Sequence, residues 1–308
     1  MTTVHSITKY DQRYPLAITI GTFDGVHIGH RKILERIINH AKDLALKSAV
    51  LTFFPHPRMV LQKDADIKLL NTLDEKTAIL RQMGLDILVI HPFTKDFSRL
   101  GATEFVRDLL VNKLKSKKII IGYDHRFGRN RNANITDLIA FGNTLDFTVE
   151  EIPAQEIDDV SVSSTKIRKA LEEGNMETAN SYLGYSYMLT GTVQKGKGLG
   201  RQLNFPTANL VIEESYKLIP KNGSYIIKSN IRGRTVHGMM NIGYNPTVNG
   251  QTKTIEVHYF DFDDDLYGQK IQVDLLSRLR DERKFDSLEA LKAQLARDKE
   301  NSLQFISK

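Results

Sequence analysis

The stretch GTFDGVHIGH, residues 21–30, lies between a short apolar run, LAITI, and a long amphipathic run, RKILERIINHAKDLAL. The apolar run predicts a buried strand and the amphipathic run predicts a helix, so the stretch is a turn from strand to helix. Its glycines let the backbone turn sharply, and the start of the helix presents free amides that bind anions. His27 and His30 share one helical face, so both imidazoles can reach one polyphosphate.

Two plainer interpretations of these histidines stay open. They could be metal ligands, although no carboxylate or third histidine follows in an obvious helical register. They could also be ordinary, partly buried histidines. A P-loop is excluded, because that motif ends in Gly-Lys-Ser/Thr and the corresponding residues here are Gly29, His30 and Arg31.

Length and composition predict a two-domain globular protein. The chain has 308 residues, and a domain usually has roughly 100–200. Hydrophobic residues make up 41% and charged residues 26%, with no cysteine, so disulfides, thiolate nucleophiles and cysteine-ligated zinc are excluded. The polar N-terminus lacks a signal core, and no apolar run approaches the ~20 residues that span a bilayer. We expect a cytoplasmic protein without membrane partners.

The charge pattern argues against a nucleic-acid partner. The net charge is +6, and the basic residues are dispersed apart from one local cluster, HRFGRNR, at residues 125–131. Nucleic-acid binders usually show a denser basic stripe. A few cations that serve a phosphate ligand account for the surplus equally well.

Strand and helix patterns alternate in the first part of the chain, which predicts a parallel sheet with helices on both faces. Ligands of such sheets bind at the carboxyl ends of the strands. One helix carries a Thr72/Glu75 capping box and ends at Gly84. The predicted strands are LAITIGT, SAVLTFF, DILVIHPF, KKIIIGYD and LDFTVEEIP, and the predicted helices are residues 28–46, TLDEKTAILRQMG and TEFVRDLLVNKL.

The pattern changes after about Gly184, following a short helical segment at residues 165–182. Short runs with period-two alternation, separated by glycines, predict an antiparallel sheet or small barrel, and a last amphipathic helix is expected to begin at an Asp286 cap. We therefore expect one domain over residues 1–184 and another over 185–308. The strand runs are YMLTGTV, GSYIIKSNI, TVHGMMNIG, KTIEVHYFDF and QKIQVDLLSRL.

Two separated motifs carry a resemblance to the nucleotidyltransferase superfamily. Residues 27–30 spell HIGH, and SVSSTKIRKAL, residues 161–171, supplies hydroxyls at a helix start followed by Lys166 and Arg168. Read alone, the second motif is a plain helix capped by Ser163 or Ser164; with HIGH, it resembles the SSTxIR element of that superfamily. The resemblance implies a Rossmann-like domain that transfers a nucleotidyl group from ATP and releases pyrophosphate, with His27 and His30 as catalytic residues. The ATP contacts that it implies are Gly21, Phe23, Asp24, Gly25, His27, His30, Ser163, Ser164, Thr165 and Arg168.

Two loops resemble elements of the FMN adenylyltransferase module of bacterial FAD synthetases. One loop lies in LTFFPHPRMVL, residues 51–61, at the end of one predicted strand. The other lies in GYDHRFGRNR, residues 122–131, at the end of another. Each could be an ordinary turn if read alone. The resemblance implies that the Phe-Pro loop packs on the flavin and that Asp124 helps to place the flavin phosphate. The flavin contacts that we assign here are Phe54, Pro55, His56, Asp124 and Arg126, with Arg280 added from the segment LRDERKF.

The stretch GTVQKGKGLGRQLNFPTANL, residues 191–210, predicts a second phosphate site. Flexible glycines let backbone amides wrap a phosphate, and Thr207 and Asn209 offer hard oxygen donors that suit Mg²⁺. The alternative is a glycine-rich hairpin with incidental lysines. The stretch is similar to the riboflavin kinase signature, with one departure at Asn204, where that family most often has glycine. The kinase ATP contacts that it implies are Gly191, Lys195, Gly196, Gly198, Gly200, Arg201, Thr207 and Asn209, the last two also as Mg²⁺ ligands.

Glu256 lies in the predicted strand TIEVHYF, on the face opposite to Ile255 and Val257. It matches the kinase family's catalytic base, which takes the proton from the riboflavin 5′-hydroxyl. The alternative is an ordinary solvated strand glutamate. LRDERKF, residues 279–285, resembles a segment in which Arg280 and the following loop close over the flavin.

Together these resemblances imply a bifunctional enzyme that phosphorylates riboflavin to FMN and adenylylates FMN to FAD, with ATP and Mg²⁺ in both steps. The expected partners are riboflavin, FMN, FAD and ATP, with no nucleic acid, and the expected state is a monomer or weak homo-oligomer. Two other classes stay open. One is a different HIGH-type adenylyltransferase, which would resemble the first domain only; the other is a regulatory protein that senses flavin or ATP without turning it over.

Overall fold

The computed structural model describes residues 1–11, 14–62, 66–123, 125–153, 162–195, 205–247 and 250–307, without the side chains of 245–247 and 250–252. The chain divides into two compact units, Met1–Ser164 and Thr165–Lys308. The α/β and antiparallel-barrel architecture expected from the sequence is confirmed. The predicted domain boundary after residue 184 stays a prediction.

The first unit is built on a six-stranded sheet in which all paired strands are parallel, in the order β1-β4-β3-β2-β5-β6. The chain leaves β2 toward β3 on one side and later returns to β5 on the other side. The order therefore reverses between β2 and β5, which is where ligands bind in open parallel sheets. The strands are β1 (Thr2–Val4), β2 (Leu16–Ile20), β3 (Lys47–Phe54), β4 (Ile87–Pro92), β5 (Ser116–Gly122) and β6 (Thr148–Ile152).

The helices of this unit follow their sequence signals closely. The helix predicted over residues 28–46 ends earlier, at Asp43. The Thr72/Glu75 capping box is present, and Gly84 has a φ of +87°, as expected for a residue just beyond a helix end. The helices are α1 (Ile28–Asp43), α2 (Pro57–Leu61), α3 (Leu73–Gln82), α4 (Ala102–Glu104) and α5 (Ile135–Leu145), with short 3₁₀ turns at Ile7–Lys9, Phe97–Arg99 and Arg129–Arg131.

One predicted helix has a different geometry, and several short elements were not predicted. The helix expected from TEFVRDLLVNKL continues from α4 as a π-helix over Phe105–Lys113, because its hydrogen bonds span five residues. The sequence reasoning missed β1, α2 and α5. Of these, α5 has a detectable signal, since Asn134 and Asp137 form a capping box at its start.

The second unit is a closed antiparallel barrel with strand order β10-β11-β8-β7-β12-β9. Its inward positions alternate along the strands: Ile255 and Val257 are buried, whereas Glu256 between them is partly exposed. The short strand that begins at Ala208, in the second half of the FPTANL run, was not predicted. The strands are β7 (Tyr187–Gln194), β8 (Ala208–Val211), β9 (Gly223–Ile231), β10 (Arg234–Thr247), β11 (Gly250–Tyr259) and β12 (Lys270–Arg280).

Three helices accompany the barrel strands in the chain: α6 (Ser164–Glu173), α7 (Met176–Leu183) and α8 (Leu288–Ile306). The prediction that Asp286 caps the last helix is wrong. Ser287 is the capping residue, and its hydroxyl accepts from the Ala290 amide at 3.1 Å. Both residue types are good caps, and the helix begins one residue later than the capping-box pattern indicated.

Candidate active sites

The turn between β2 and α1 has a tightly specified backbone. The Gly21 amide donates to the Leu51 carbonyl of β3 at 3.0 Å. Phe23, Gly25 and Val26 all have positive φ values, at 45°, 86° and 37°. Phe23 and Val26 are buried, at 4% and 0% exposure. Their packing holds a conformation that residues other than glycine rarely adopt.

The two predicted histidines lie side by side at this turn. His27 is the N-cap of α1, and its Nδ1 accepts a hydrogen bond from the His30 amide at 3.4 Å. Their rings stack with centroids 3.6 Å apart and an interplanar angle of 17°. The rings of Phe23 and His30 pack edge to face, with centroids 5.1 Å apart. Because Nδ1 of His27 is the acceptor, the proton of a neutral ring is on Nε2, where it is available to a ligand.

Both imidazoles are neutral at pH 7. Burial lowers the pKa of His27 to about 4. Burial also lowers the pKa of His30 well below its ordinary value, with further contributions from His27 and Lys76. Nδ1 of His30 is inaccessible and has no hydrogen-bond partner among the described residues. The pair therefore offers N–H donors of fixed orientation to a polyanion. Before a ligand binds, both rings are neutral imidazoles and not imidazolium ions.

The fold brings Ser164 of the SSTKIR motif to the HIGH turn, 140 residues away in the sequence: its hydroxyl donates to the Asp24 carbonyl at 2.9 Å. The Asp24 carboxylate is buried and accepts from the Leu70 amide at 2.9 Å. Asp24 is thus a structural anchor of the turn, in addition to any role toward ATP. Ser163 precedes α6, and Thr165 and Arg168 lie in its first two turns.

Four of the predicted flavin residues, Phe54, Pro55, His56 and Arg126, lie at the same edge of the sheet, after the strands that flank β2. Phe54 ends β3, the Phe54–Pro55 peptide is cis, and His56 caps α2 by accepting from the Arg58 amide at 3.2 Å. Arg126 follows β5 and is exposed, whereas Asp124 lies outside the described residues. Flavin contact by these residues stays a prediction.

The sequence reasoning missed a series of aromatic rings at this edge. Neighbouring centroids along Phe53, Phe93, Phe97, Phe105 and Phe127 are 5.5–6.2 Å apart. Two of these rings come from the loop after β4, in the run HPFTKDF. The aromatic spacing of that run was its only sequence signal.

In the barrel unit, the FPTAN segment lies against β11. Asn209 pairs directly with Glu256, and the Thr207 hydroxyl is 3.5 Å from the Glu256 carboxylate. The Nδ1–H of His258 donates to the Pro206 carbonyl at 2.8 Å, and Phe205 contacts the same imidazole edge to face. His258, which the sequence reasoning did not assign, therefore holds this segment beside Glu256.

Glu256 lies within a row of polar residues that crosses the barrel strands. Asn241 of β10 is its partner on the side opposite to Asn209, and Ser224 of β9 is the partner of both Asn241 and Arg280. The Ser224 hydroxyl lies 3.4 Å from the Asn241 amide oxygen. Directly opposed residues of antiparallel strands share a face, so Asn241 and Ser224 lie on the Glu256 face of the sheet. Only the strand order could have revealed them.

The remaining kinase predictions divide into two groups. Gly191 lies in β7, where a Cβ atom would be 2.5 Å from the Val211 carbonyl oxygen, so close contact with β8 accounts for this glycine. Lys195 is exposed, with its ammonium 5.6 Å from the Tyr267 ring. Phosphate contact by both residues stays a prediction. The predicted residues that lie outside the described ranges are Gly196, Gly198, Gly200, Arg201 and Asn204.

Arg280 is bound by the last helix. Its Nε and Nη2 donate to the Asp298 carboxylate at 2.9 and 2.7 Å, and Gln294 donates to the same carboxylate at 2.8 Å. The side chains of Arg280 and Asp298 are 17% and 3% exposed. The guanidinium fixes α8 to the end of β12, a role that the sequence did not suggest, and flavin contact by Arg280 stays a prediction.

The donors beside Glu256 fit a hard cation. A hydroxyl, an amide carbonyl and a carboxylate are the oxygen types that Mg²⁺ prefers, and Mg²⁺ needs few protein ligands when it also binds ATP phosphates. No group of three histidines or carboxylates with metal-binding geometry occurs within the described part of the chain. Over the same residues, no helix is long and apolar enough to cross a membrane.

Comparison with known proteins agrees with this geometry. A family model described as FAD synthetase matches residues 9–166, and one described as riboflavin kinase matches residues 183–306. The bifunctional riboflavin kinase/FMN adenylyltransferase of Listeria monocytogenes is 38% identical, over 94% of this chain and 92% of its own. The Escherichia coli K12 protein of the same name is 35% identical, over 98% and 96%.

A solved structure also matches throughout. A crystal structure described as a macrolide-efflux protein from Streptococcus pneumoniae superposes with a TM-score of 0.87 and 30% identity, covering 98% of both chains. The two family models and the full-length relatives span both units of the fold. The chain belongs to the family of bifunctional riboflavin kinase/FMN adenylyltransferases.

Proposed function

We propose that this chain makes FAD from riboflavin in two ATP-dependent steps at two separate sites. The barrel unit phosphorylates riboflavin, giving FMN and ADP, and the parallel-sheet unit adenylylates FMN, giving FAD and pyrophosphate. The observation that carries the proposal is the position of Thr207 and Asn209 beside Glu256, because a chain with only the HIGH site would lack it.

In the kinase step, Glu256 is the general base. Its carboxylate takes the proton of the riboflavin 5′-hydroxyl, the oxygen attacks the γ-phosphorus of ATP, and ADP leaves. Thr207 and Asn209 would hold Mg²⁺, which when bound neutralises charge on the ATP phosphates. Asn241, as the cross-strand partner of Glu256, lies where its amide can orient the carboxylate. We expect the glycine-rich segment, with Lys195 and Arg201, to bind the phosphates.

In the adenylylation step, a phosphate oxygen of FMN attacks the α-phosphorus of ATP, and pyrophosphate leaves without a covalent enzyme intermediate. Negative charge increases on the phosphoryl oxygens during the attack. His27, His30 and the first amides of α1 stabilise this charge as fixed donors. Ser163, Ser164, Thr165 and Arg168 complete the phosphate site, while Phe54, Pro55, His56, Asp124 and Arg126 bind the flavin.

The two other classes are less well supported. A HIGH-type adenylyltransferase of another kind leaves the barrel and its Glu256 cluster without a function. A sensor protein has no need of a carboxylate positioned beside a metal-binding pair. We further propose that the domains comprise residues 1–184 and 185–308, and that the enzyme acts in the cytoplasm as a monomer or weak homo-oligomer without nucleic acid or membrane.

The test is a time course with riboflavin, excess ATP and Mg²⁺, with the flavins separated by chromatography. FMN is expected first, followed by FAD. If FMN forms without FAD, the HIGH site has another substrate or no activity. If riboflavin is not consumed, the kinase assignment is wrong.

A further inference from the structure

Lys76 is a buried ammonium group directly behind the HIGH turn. It belongs to α3 and is 5% exposed, and its Nζ donates to the Thr22 carbonyl at 2.7 Å. The Thr52 hydroxyl of β3 donates to the same carbonyl at 3.3 Å. A buried lysine is rare and costs free energy unless it is paired, so its position here requires a specific reason.

The charges around Lys76 connect it to the histidines. The Asp24 carboxylate raises the pKa of Lys76, against a larger lowering by burial. Lys76 in turn contributes to the lowered pKa of His30, because a nearby cation disfavours a second positive charge. His27, the N-cap of α1, and Lys76 on α3 thus both act on the pKa of His30, and Asp24 in the turn acts on Lys76.

We propose that Lys76 is a positioning residue for adenylyl transfer, which holds the Thr22 carbonyl and thereby the turn that presents His27 and His30 to the nucleotide phosphates. The inference rests on the proposed function of this site. Lys76 touches neither histidine in a hydrogen bond and takes no proton. It fixes the backbone that places them and keeps a positive charge beneath the site that an anionic nucleotide enters.

A purely space-filling role would be served equally well by an apolar side chain. Methionine would fill similar space on α3 without the cost of burying an ammonium group. Packing alone therefore does not explain why this residue is a lysine. Its hydrogen bond to the Thr22 carbonyl, which holds the turn, and its positive charge, which attracts an anionic nucleotide, do explain it. The exposed Arg81 on the same helix supplies a matched control, because its removal deletes a cation of α3 away from the turn.

The test compares Lys76→Met, Lys76→Arg and Arg81→Met in the full-length chain. Lys76→Met is expected to lower kcat for FMN adenylylation about 100-fold, the loss expected from a displaced catalytic group, with a smaller change in KM for ATP. Lys76→Arg, which keeps the charge and a donor, is expected to recover at least part of this loss. Calorimetric unfolding of the first unit, which carries Lys76, reports whether each variant is folded. The kinase reaction of the barrel unit is expected to be unchanged, as is every activity of Arg81→Met.

A second readout needs no substrate. NMR titration of side-chain-labelled histidines is expected to show a higher pKa for His30 in Lys76→Met than in the wild type, because the neighbouring cation is gone. Wild-type adenylylation in Lys76→Met would overturn the inference. So would equal losses in the Met and Arg variants, or an unmoved His30 titration. If the wild type itself makes no FAD, the proposed function fails, and the titration still decides whether Lys76 acts on His30.

Discussion

Asp298→Ala is expected to destabilise the barrel unit strongly, because it leaves a buried guanidinium without its counter-ion. Arg280 would keep, among the described residues, only the Asp281 carbonyl as an acceptor, at 3.1 Å. Breaking a buried pair by removing one partner costs about 3–5 kcal/mol. Arg280 is 17% exposed, so water can reach part of it, and we expect the lower end, about 3 kcal/mol. For a unit of this size, that lowers the unfolding temperature by about 6–12 °C.

The assay is the residual activity of each site after brief heating, which reports on the two units separately. Asp298→Ala should lose kinase activity at a lower temperature and keep the wild-type inactivation temperature for FMN adenylylation. Asp264→Ala is the control in the same unit, because its ion pair with Arg232 is 49–61% exposed and contributes about 0–1 kcal/mol. If Asp298→Ala and Asp264→Ala inactivated at the same temperature, the Arg280–Asp298 pair would not stabilise the barrel.

A double variant separates the structural role of Arg280 from flavin binding. In Arg280→Met/Asp298→Leu, both charges are replaced by apolar groups, which often restores the stability lost when one partner is removed. Recovered stability with poor kinase activity and a raised KM for riboflavin would support flavin contact by Arg280. Full recovery of both stability and kinase activity would show that Arg280 only fixes α8 to the barrel.

Three further predictions address the two sites. Glu256→Gln should lower riboflavin phosphorylation about 10²–10⁴-fold, as expected for loss of a general base, while supplied FMN is still converted to FAD; equal loss of both reactions would contradict two separate sites. His30→Ala should lower FAD formation about 10²–10³-fold without affecting FMN formation, and a wild-type rate would remove His30 from the mechanism. His27 has a pKa of about 4 in the fold against about 6.5 when unfolded, so the unfolded chain takes up the proton first as the pH falls. His27 alone should therefore cost the first unit about 3 kcal/mol of stability between pH 6.5 and 4, and His30 and His91, whose pKa values burial also lowers, add to the same dependence. His27→Asn, which keeps a capping side chain, should make this dependence shallower in calorimetric scans, and an unchanged slope would show that His27 does not contribute to it.

The sequence predicted most of the regular elements because their signals are local. The apolar runs of β2 and β3 and the capping box of α3 each depend on a few neighbouring residues. The element β1 has only three residues and pairs at the edge of the sheet, so its pattern is too short to detect. Ser287 and Asp286 are both suitable caps, and the local sequence does not decide between them.

The site was predictable where a motif is continuous and unpredictable where tertiary contacts define it. HIGH, SSTKIR and FPTAN identified most of the candidate residues, and Ser164 does reach the HIGH turn. Lys76 appears in the sequence as one charged residue of an amphipathic helix, and only the packing of α3 shows that it is buried. Asn241 and His258 depend on the pairing of distant strands, which no single segment records.

The positive φ values of Phe23 and Val26 have a consequence for mutational screening. Glycine at either position would relieve backbone strain of about 1–2 kcal/mol, but it would forfeit the burial of an apolar side chain, worth about 1.5–3 kcal/mol. These terms largely cancel for Val26, so a screen that selects only for thermal tolerance would register such a change as close to neutral. A screen for FAD output would reject the glycine variant, because the loosened turn no longer holds His27 and His30 in position. Tolerance maps built from expression or melting data would thus miss the functional constraint on this turn.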